Sequence, residues 1–259
     1  MRHTILALLP ILAVPLLAQP QIGGGACTSA TLTGSYSLTL SGRDASSAIT
    51  VLSGVSVGVG TATFDGLSKV TFTLTQNTVK SLGIPANWSG SYSLQANCVG
   101  AIAITSGDSA TFTLASYDQG ASYLIGGEDG IYAFSGSGTN LPATCSAGLL
   151  SGTYSFNGTG YVVASGLISG VTDFSGLMQF NGTGVVTTNW FISSGGTTTP
   201  VTTSGSYAVT SGCTGTAAMA DPSGNSYALQ FTITAASGSN FVLGGSNPQM
   251  VFTGSGRTL

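Results

Sequence analysis

Apolar and small polar residues take turns along most of this chain. Tyr36, Leu38 and Leu40 alternate with Ser35, Ser37 and Thr39, and Val70, Phe72 and Leu74 alternate with Thr71, Thr73 and Thr75. A two-residue period sends successive side chains to opposite faces of a pleated strand, so the pattern predicts strands with one buried face. Tyr92, Leu94, Ala96 and Cys98 keep one parity, which predicts the cysteine on the buried side. Threonine, valine and aromatic residues suit such a surface, and glycines with Asp-Gly and Asn-Gly pairs supply the turns. Beyond residue 18 no window keeps a helical period.

The same landmarks occur twice, in the same order. Leu-Thr-Gly-Ser-Tyr-Ser-Leu at 32–38 returns as Leu-Ser-Gly-Thr-Tyr-Ser-Phe at 150–156, and Phe64-Asp65-Gly66 returns as Phe180-Asn181-Gly182. Ser-Gly-Ser-Tyr leads to Cys98 in one half and to Cys213 in the other. Phe112-Thr113-Leu114 matches Phe231-Thr232-Ile233, and 124–138 matches 242–256. Ordered matches at a near-constant offset indicate an internal duplication, with one copy over 27–142 and the other over 143–259. Asp65 and Asn181 exchange at one turn, as expected where backbone geometry and not charge is required.

Each copy holds roughly eight strand-like runs at the spacing of a meander. The expected fold is therefore all-β: two tandem, calycin-like meander barrels of about eight strands each, joined near 140–144. Closure would also remove exposed sheet edges, which a chain with 5% charged residues has few means to protect. A β-sandwich per copy and a single outer-membrane barrel drawn from both copies are the alternatives. The second has alternation and hydropathy in its favour, and paired cysteines, short loops and a polar Arg257-Thr258-Leu259 end against it.

Residues 1–18 carry a basic head, Arg2 and His3, then an apolar run broken by Pro10 and Pro15 and closed by Ala18. This reads as a secretory signal peptide, too short and proline-broken to span a membrane, so no transmembrane helix is expected after its removal. Gly24-Gly25-Ala26 before Cys27 matches a lipoprotein signal poorly, and 19–26 reads as a flexible lead-in. The expected address is the cell envelope or the extracellular space. Cys27 and Cys98 lie 71 residues apart, and Cys145 and Cys213 lie 68 apart. Four cysteines allow three connectivities, and repeat symmetry favours pairing within each copy in an oxidising compartment. Without a Cys-x-x-Cys pair, a thiolate metal site is not expected.

The landmarks are similar to those of a loose group of uncharacterised secreted bacterial proteins. These carry Gly-x-Tyr-x-Phe/Leu, Phe-Asp/Asn-Gly and Gly-x-Tyr-to-Cys elements in Gly/Ser/Thr-rich β-repeats. The resemblance covers nearly the whole exported part. It implies export and β-structure, and offers no catalytic residue to carry over.

Composition removes several functions. With 5 Lys and Arg in the chain, no basic patch is available for nucleic acid. The single histidine, His3, falls in the signal peptide, so imidazole-dependent triads, histidine bases and His-ligated zinc drop out together. Gly54-Val55-Ser56-Val57-Gly58 spells a nucleophile elbow, but without a base or a strand-turn-helix setting it reads as a glycine-rich strand or turn. Asp118, Glu128 and Asp129 form a weak acidic cluster; the second copy has Ser246 and Asn247 in place of the last two, so the scaffold does not need them. A carboxylate pair or a weak calcium site there ranks below a solvated turn, and no cofactor or metal is expected. Trp88 and Trp190 are candidate ligand contacts, by stacking on a sugar ring, against the plainer reading of barrel core. They are not equivalent positions, since Trp190 aligns near Leu74. Asn87-Trp88-Ser89, Asn157-Gly158-Thr159 and Asn181-Gly182-Thr183 match the glycosylation acceptor pattern, which matters only in a eukaryotic secretory route.

Two function classes survive these exclusions. One is a non-enzymatic exported β-repeat module for structural, adhesive or glycan contact, with a glycan or cell-surface component as partner. The other is a calycin-like barrel holding a small apolar ligand, for which a filled interior would be the decisive contrary observation. A carboxylate-dependent enzyme stands behind both.

Overall fold

A computed structural model describes residues 26–44, 54–78, 81–164 and 167–259. The signal-peptide reading, most of the lead-in and His3 lie outside the described residues. The first eight strands are β1 (Thr33–Asp44), β2 (Val55–Asp65), β3 (Lys69–Thr78), β4 (Ile84–Leu94), β5 (Val99–Ser106), β6 (Ala110–Tyr117), β7 (Ser122–Glu128) and β8 (Tyr132–Thr139). The second eight are β9 (Ser151–Ala164), β10 (Leu167–Asn181), β11 (Val185–Ser194), β12 (Thr197–Val209), β13 (Thr214–Ala220), β14 (Ser226–Ile233), β15 (Asn240–Asn247) and β16 (Met250–Thr258).

Each set is an antiparallel meander that closes on itself. β8 returns to β1 with Ser137 opposite Thr39, and β16 returns to β9 with Ser255 opposite Asn157. The halves therefore close separately, which excludes both the sandwich and a single ring drawn from the two copies. Interiors are apolar and outer faces are rich in serine and threonine, the reverse of a barrel with a lipid-facing belt and a polar lumen. In β3, for example, Val70, Phe72 and Leu74 are buried while Lys69, Thr71 and Thr73 are exposed.

The repeated landmarks are barrel-closing parts. At the turn after β2, Asp65 Oδ1 accepts the backbone N–H groups of Leu67, Ser68 and Lys69, each at 2.8 Å. Asn181 Oδ1 accepts those of Thr183 and Val185 at 2.9 and 2.8 Å, so either residue serves because an oxygen is all the turn needs. Gly90 and Gly205, in the Ser-Gly-Ser-Tyr elements, lie so near the neighbouring strand that a Cβ would strike the carbonyls of Ala103 and Ala218.

One end of each barrel is plugged by a short 3-10 turn, Ser29–Thr31 or Ala147–Leu149, followed by a fully buried leucine, Leu32 or Leu150. Tyr92 Oη donates to the carbonyls of Ser29 (2.8 Å) and Leu32 (2.9 Å), and Tyr207 Oη donates to those of Ala147 and Leu150 (both 3.0 Å). Tyr36 and Tyr154 donate in the same way to Gly120 (2.7 Å) and Gly238 (2.9 Å). Disulfides Cys27–Cys98 and Cys145–Cys213, with Cα separations of 5.0 and 4.8 Å, tie each plug to the hairpin beyond its tyrosine strand.

The barrels touch along β2. Val55 and Val57 pack on Val251, with Tyr161, Val163 and Ile168 around them. Beside this contact, buried Thr232 donates to the Gly60 carbonyl at 3.0 Å. Buried Asn77 accepts from Ser246 Oγ (3.1 Å) and donates to Gln230 Oε1 (3.2 Å), which satisfies polar groups that the contact removes from water. Arg43 donates to Tyr161 Oη at 3.0 Å, with its guanidinium 5.6 Å from the centre of that ring.

Candidate functional site: the cleft between the barrels

The structure places both tryptophans inside the barrels, 2% (Trp88) and 4% (Trp190) exposed, so neither offers a face to a ligand. Their non-equivalence has a packing reason. In the first barrel Phe72 faces Trp88 and Leu74 faces Ala86, whereas at the matching positions of the second barrel Thr188 faces Thr203 and Trp190 faces Val201. The indole has moved to the adjacent strand and one layer along it. The two threonines that stand where the first barrel has its aromatic pair share a buried hydrogen bond of 2.6 Å. Around Trp190 the second barrel leaves a void of about 10 Å³, lined by Phe156, Met178, Tyr227 and Leu243 among others. That is room for about one water molecule. In the first barrel Phe72, Trp88, Phe112 and Phe134 meet ring to ring across the interior. Such filled interiors overturn the expectation of an apolar-ligand carrier.

The acidic residues are also dispersed. Asp118 lies in the turn after β6, whereas Glu128 ends β7 opposite Thr111, six residues of strand beyond Ser122. At the rise of an extended strand these positions are ~20 Å apart, too far for a catalytic carboxylate pair. Asp129 Oδ1 accepts the N–H groups of Ile131 (2.8 Å) and Tyr132 (2.6 Å), which makes it a turn residue. Among the described residues no group of three His, Cys, Asp or Glu side chains could hold a metal ion.

What the fold builds is a cleft of about 680 Å³ between the outer faces of the two barrels. β1 and β8 supply Ser37, Ser137 and Thr139 from one barrel; β9 and β16 supply Ser155, Ser255 and Arg257 from the other. These are matching positions of the repeat, so the two walls are variants of one surface. Cross-strand bonds hold the walls in register. Ser37 Oγ accepts the Thr139 N–H at 2.9 Å, and at the matching place Ser155 Oγ donates to the Arg257 carbonyl at 3.4 Å. Asn157, Asn240 and Tyr117 add two amides and a phenol. Among the described residues no acidic side chain lines the cleft, and Arg257 is the single charged side chain that does.

Hydroxyls and amides each donate and accept hydrogen bonds, so such a lining can bind a ligand with many hydroxyl groups without burying an uncompensated charge. The chain pattern gave little warning of these residues. Serine and threonine occupy outward positions on nearly every strand, and only the equivalence of Ser37 with Ser155 and Ser137 with Ser255 sets this group apart.

No protein-family model matches the chain, and no curated protein matches it. Among solved structures, the chain is similar to the isotype 1 transferrin binding protein B from serogroup B Neisseria meningitidis. The match covers 88% of this chain and 77% of that one, with a TM-score of 0.28 and 8% identity. At that TM-score the likeness carries no argument about function.

Proposed function

We propose that the protein is an exported, non-enzymatic binding module that takes a glycan in the cleft between its two barrels. The observation that carries the reading is the lining itself: hydroxyls and amides from both barrels, arranged around a volume suited to a short oligosaccharide. Two intramolecular disulfides support an oxidising, extracytoplasmic setting, in line with the signal-peptide reading of the amino terminus. Among the described residues no helix is long and apolar enough to cross a membrane. The filled interiors leave the outer surface as the place for recognition.

Titration calorimetry against a panel of oligosaccharides tests the proposal. At least one binds the wild type, and Asn157→Ala and Asn240→Ala each weaken it by roughly tenfold, the equivalent of one or two hydrogen bonds lost. A panel without a binder, or variants that bind like the wild type, would remove the cleft as the site.

A further inference from the structure

The geometry points to a carboxylate on the ligand, with Arg257 as the residue that binds it, so that the glycan taken by this cleft is an acidic one. This inference rests on the glycan-binding reading of the cleft and adds the ligand's charge to it. The first ground is a break in the repeat. Ser37 matches Ser155, Ser137 matches Ser255 and Gly138 matches Gly256, yet Thr139 is replaced by Arg257. Thr139 shows that the scaffold requires no charge at this strand position, and the substitution falls where the side chain reaches the cleft.

The second ground is how the protein uses its few cations. Among the described residues Arg43 is committed to Tyr161 and Lys69 lies beside the Asp65 carboxylate. Arg257 has no ion-pair or side-chain hydrogen-bond partner among the described residues; it is exposed, and its register neighbours are Ser155 on β9 and Asn240 on β15. A planar guanidinium flanked by a hydroxyl and an amide suits a sugar acid: two parallel N–H donors meet the carboxylate, and the flanking groups meet adjacent ring hydroxyls. With no acidic side chain among the described residues that line the cleft, none of them repels the anion.

The test uses oligosaccharides ending in galacturonate, glucuronate or sialate, each paired with its methyl ester, and titrates them into the wild type and Arg257→Thr. Threonine already occupies the matching position of the first barrel, so this variant keeps the fold. The wild type should bind at least one acid roughly tenfold tighter than its ester, as a charge-assisted hydrogen bond implies. Added salt should narrow that gap. Arg257→Thr should abolish the gap by bringing affinity for the acid down to that for the ester, with the ester losing at most the weaker, neutral hydrogen bond to its carbonyl. Equal binding of acid and ester by the wild type, or an unchanged preference in Arg257→Thr, overturns the inference and leaves the cleft reading standing. Failure of every acid and every ester to bind overturns both.

Discussion

Removing one disulfide tests whether each barrel is held by its own bridge. In the Cys27→Ser/Cys98→Ser variant a closed loop of 71 residues is released. The chain-entropy relation assigns such a loop about 4.4 kcal/mol at 25 °C, and the 68-residue loop of Cys145–Cys213 nearly the same amount. For a unit of about 115 residues each 1 kcal/mol moves the melting temperature by roughly 4 °C, so the first barrel should melt about 18 °C lower. The second barrel loses only what the first contributed to it. That is the burial of Val251 against Val55 and Val57 and a few hydrogen bonds through Thr232, Ser246 and Gln230. At ~1 kcal/mol for each hydrogen bond and ~2 kcal/mol for a buried valine, this contact is comparable with one bridge. Melting of the first barrel removes this contact, so the second barrel's transition should fall with it by a comparable amount although its own bridge is intact. Cys98 adds an internal control, because it holds a left-handed backbone with φ at 65°. Cys27→Ser/Cys98→Gly should be the more stable of the two variants by about 1 kcal/mol. Differential scanning calorimetry without reductant measures all of this. A second-barrel transition that stays at its wild-type temperature, or a loss below about 1 kcal/mol, would refute the reasoning.

Two further outcomes follow from the cores and the titrating groups. In the second barrel Thr203→Trp alone must force an indole toward a void of about 10 Å³, at a cost of ~3 kcal/mol, and Trp190→Leu alone opens a cavity at similar cost. Combined, they move the indole to the strand position it holds in the first barrel, so urea unfolding should show a cost below the sum by at least ~1 kcal/mol; strict additivity would contradict the packing account. Burial raises the tyrosine hydroxyls, Tyr92 to about 12 and Tyr123 in the same direction, so the folded chain keeps protons that the unfolded chain releases near pH 10. Their contribution is complete below about pH 10 and is lost as pH rises through the folded values. At the acid end, Asp65 is lowered by the N–H groups of Lys69 and Leu67, and Asp221 by the Asn225 side chain. Their contributions are present above 3.8 and lost as pH falls through the lower folded values. No imidazole lies among the described residues, so the melting temperature should be level between about pH 5 and 9 and drop above about 10. A steep slope inside that window would contradict this assignment.

Much of the architecture is a local property and is legible along the chain. The alternation at Val70, Phe72 and Leu74 sets both the strand and its buried face, because extended backbone turns each side chain over from the last. Repeat symmetry pairs Cys27 with Cys98 and Cys145 with Cys213, and the Asp65 and Asn181 exchange shows a turn that needs only an oxygen. The functional readings failed where they depended on neighbours across strands. Asp118 and Glu128 are close in sequence, but an antiparallel hairpin carries them to opposite ends of the barrel. Trp88 and Trp190 look interchangeable with surface aromatics until register sets them in the interior opposite Phe72 and Val201.

Period and repetition thus determined by themselves that this chain forms two all-β units and which side of each strand faces in. Only the tertiary structure decided that each barrel is filled to the centre, and that Ser37, Thr139, Ser155 and Arg257 meet across one cleft. The physical reason is that an outward serine or threonine has the same local signature all round a barrel. Its partners are chosen by how two closed surfaces dock through Val57, Thr232 and Asn77, contacts that no single strand encodes.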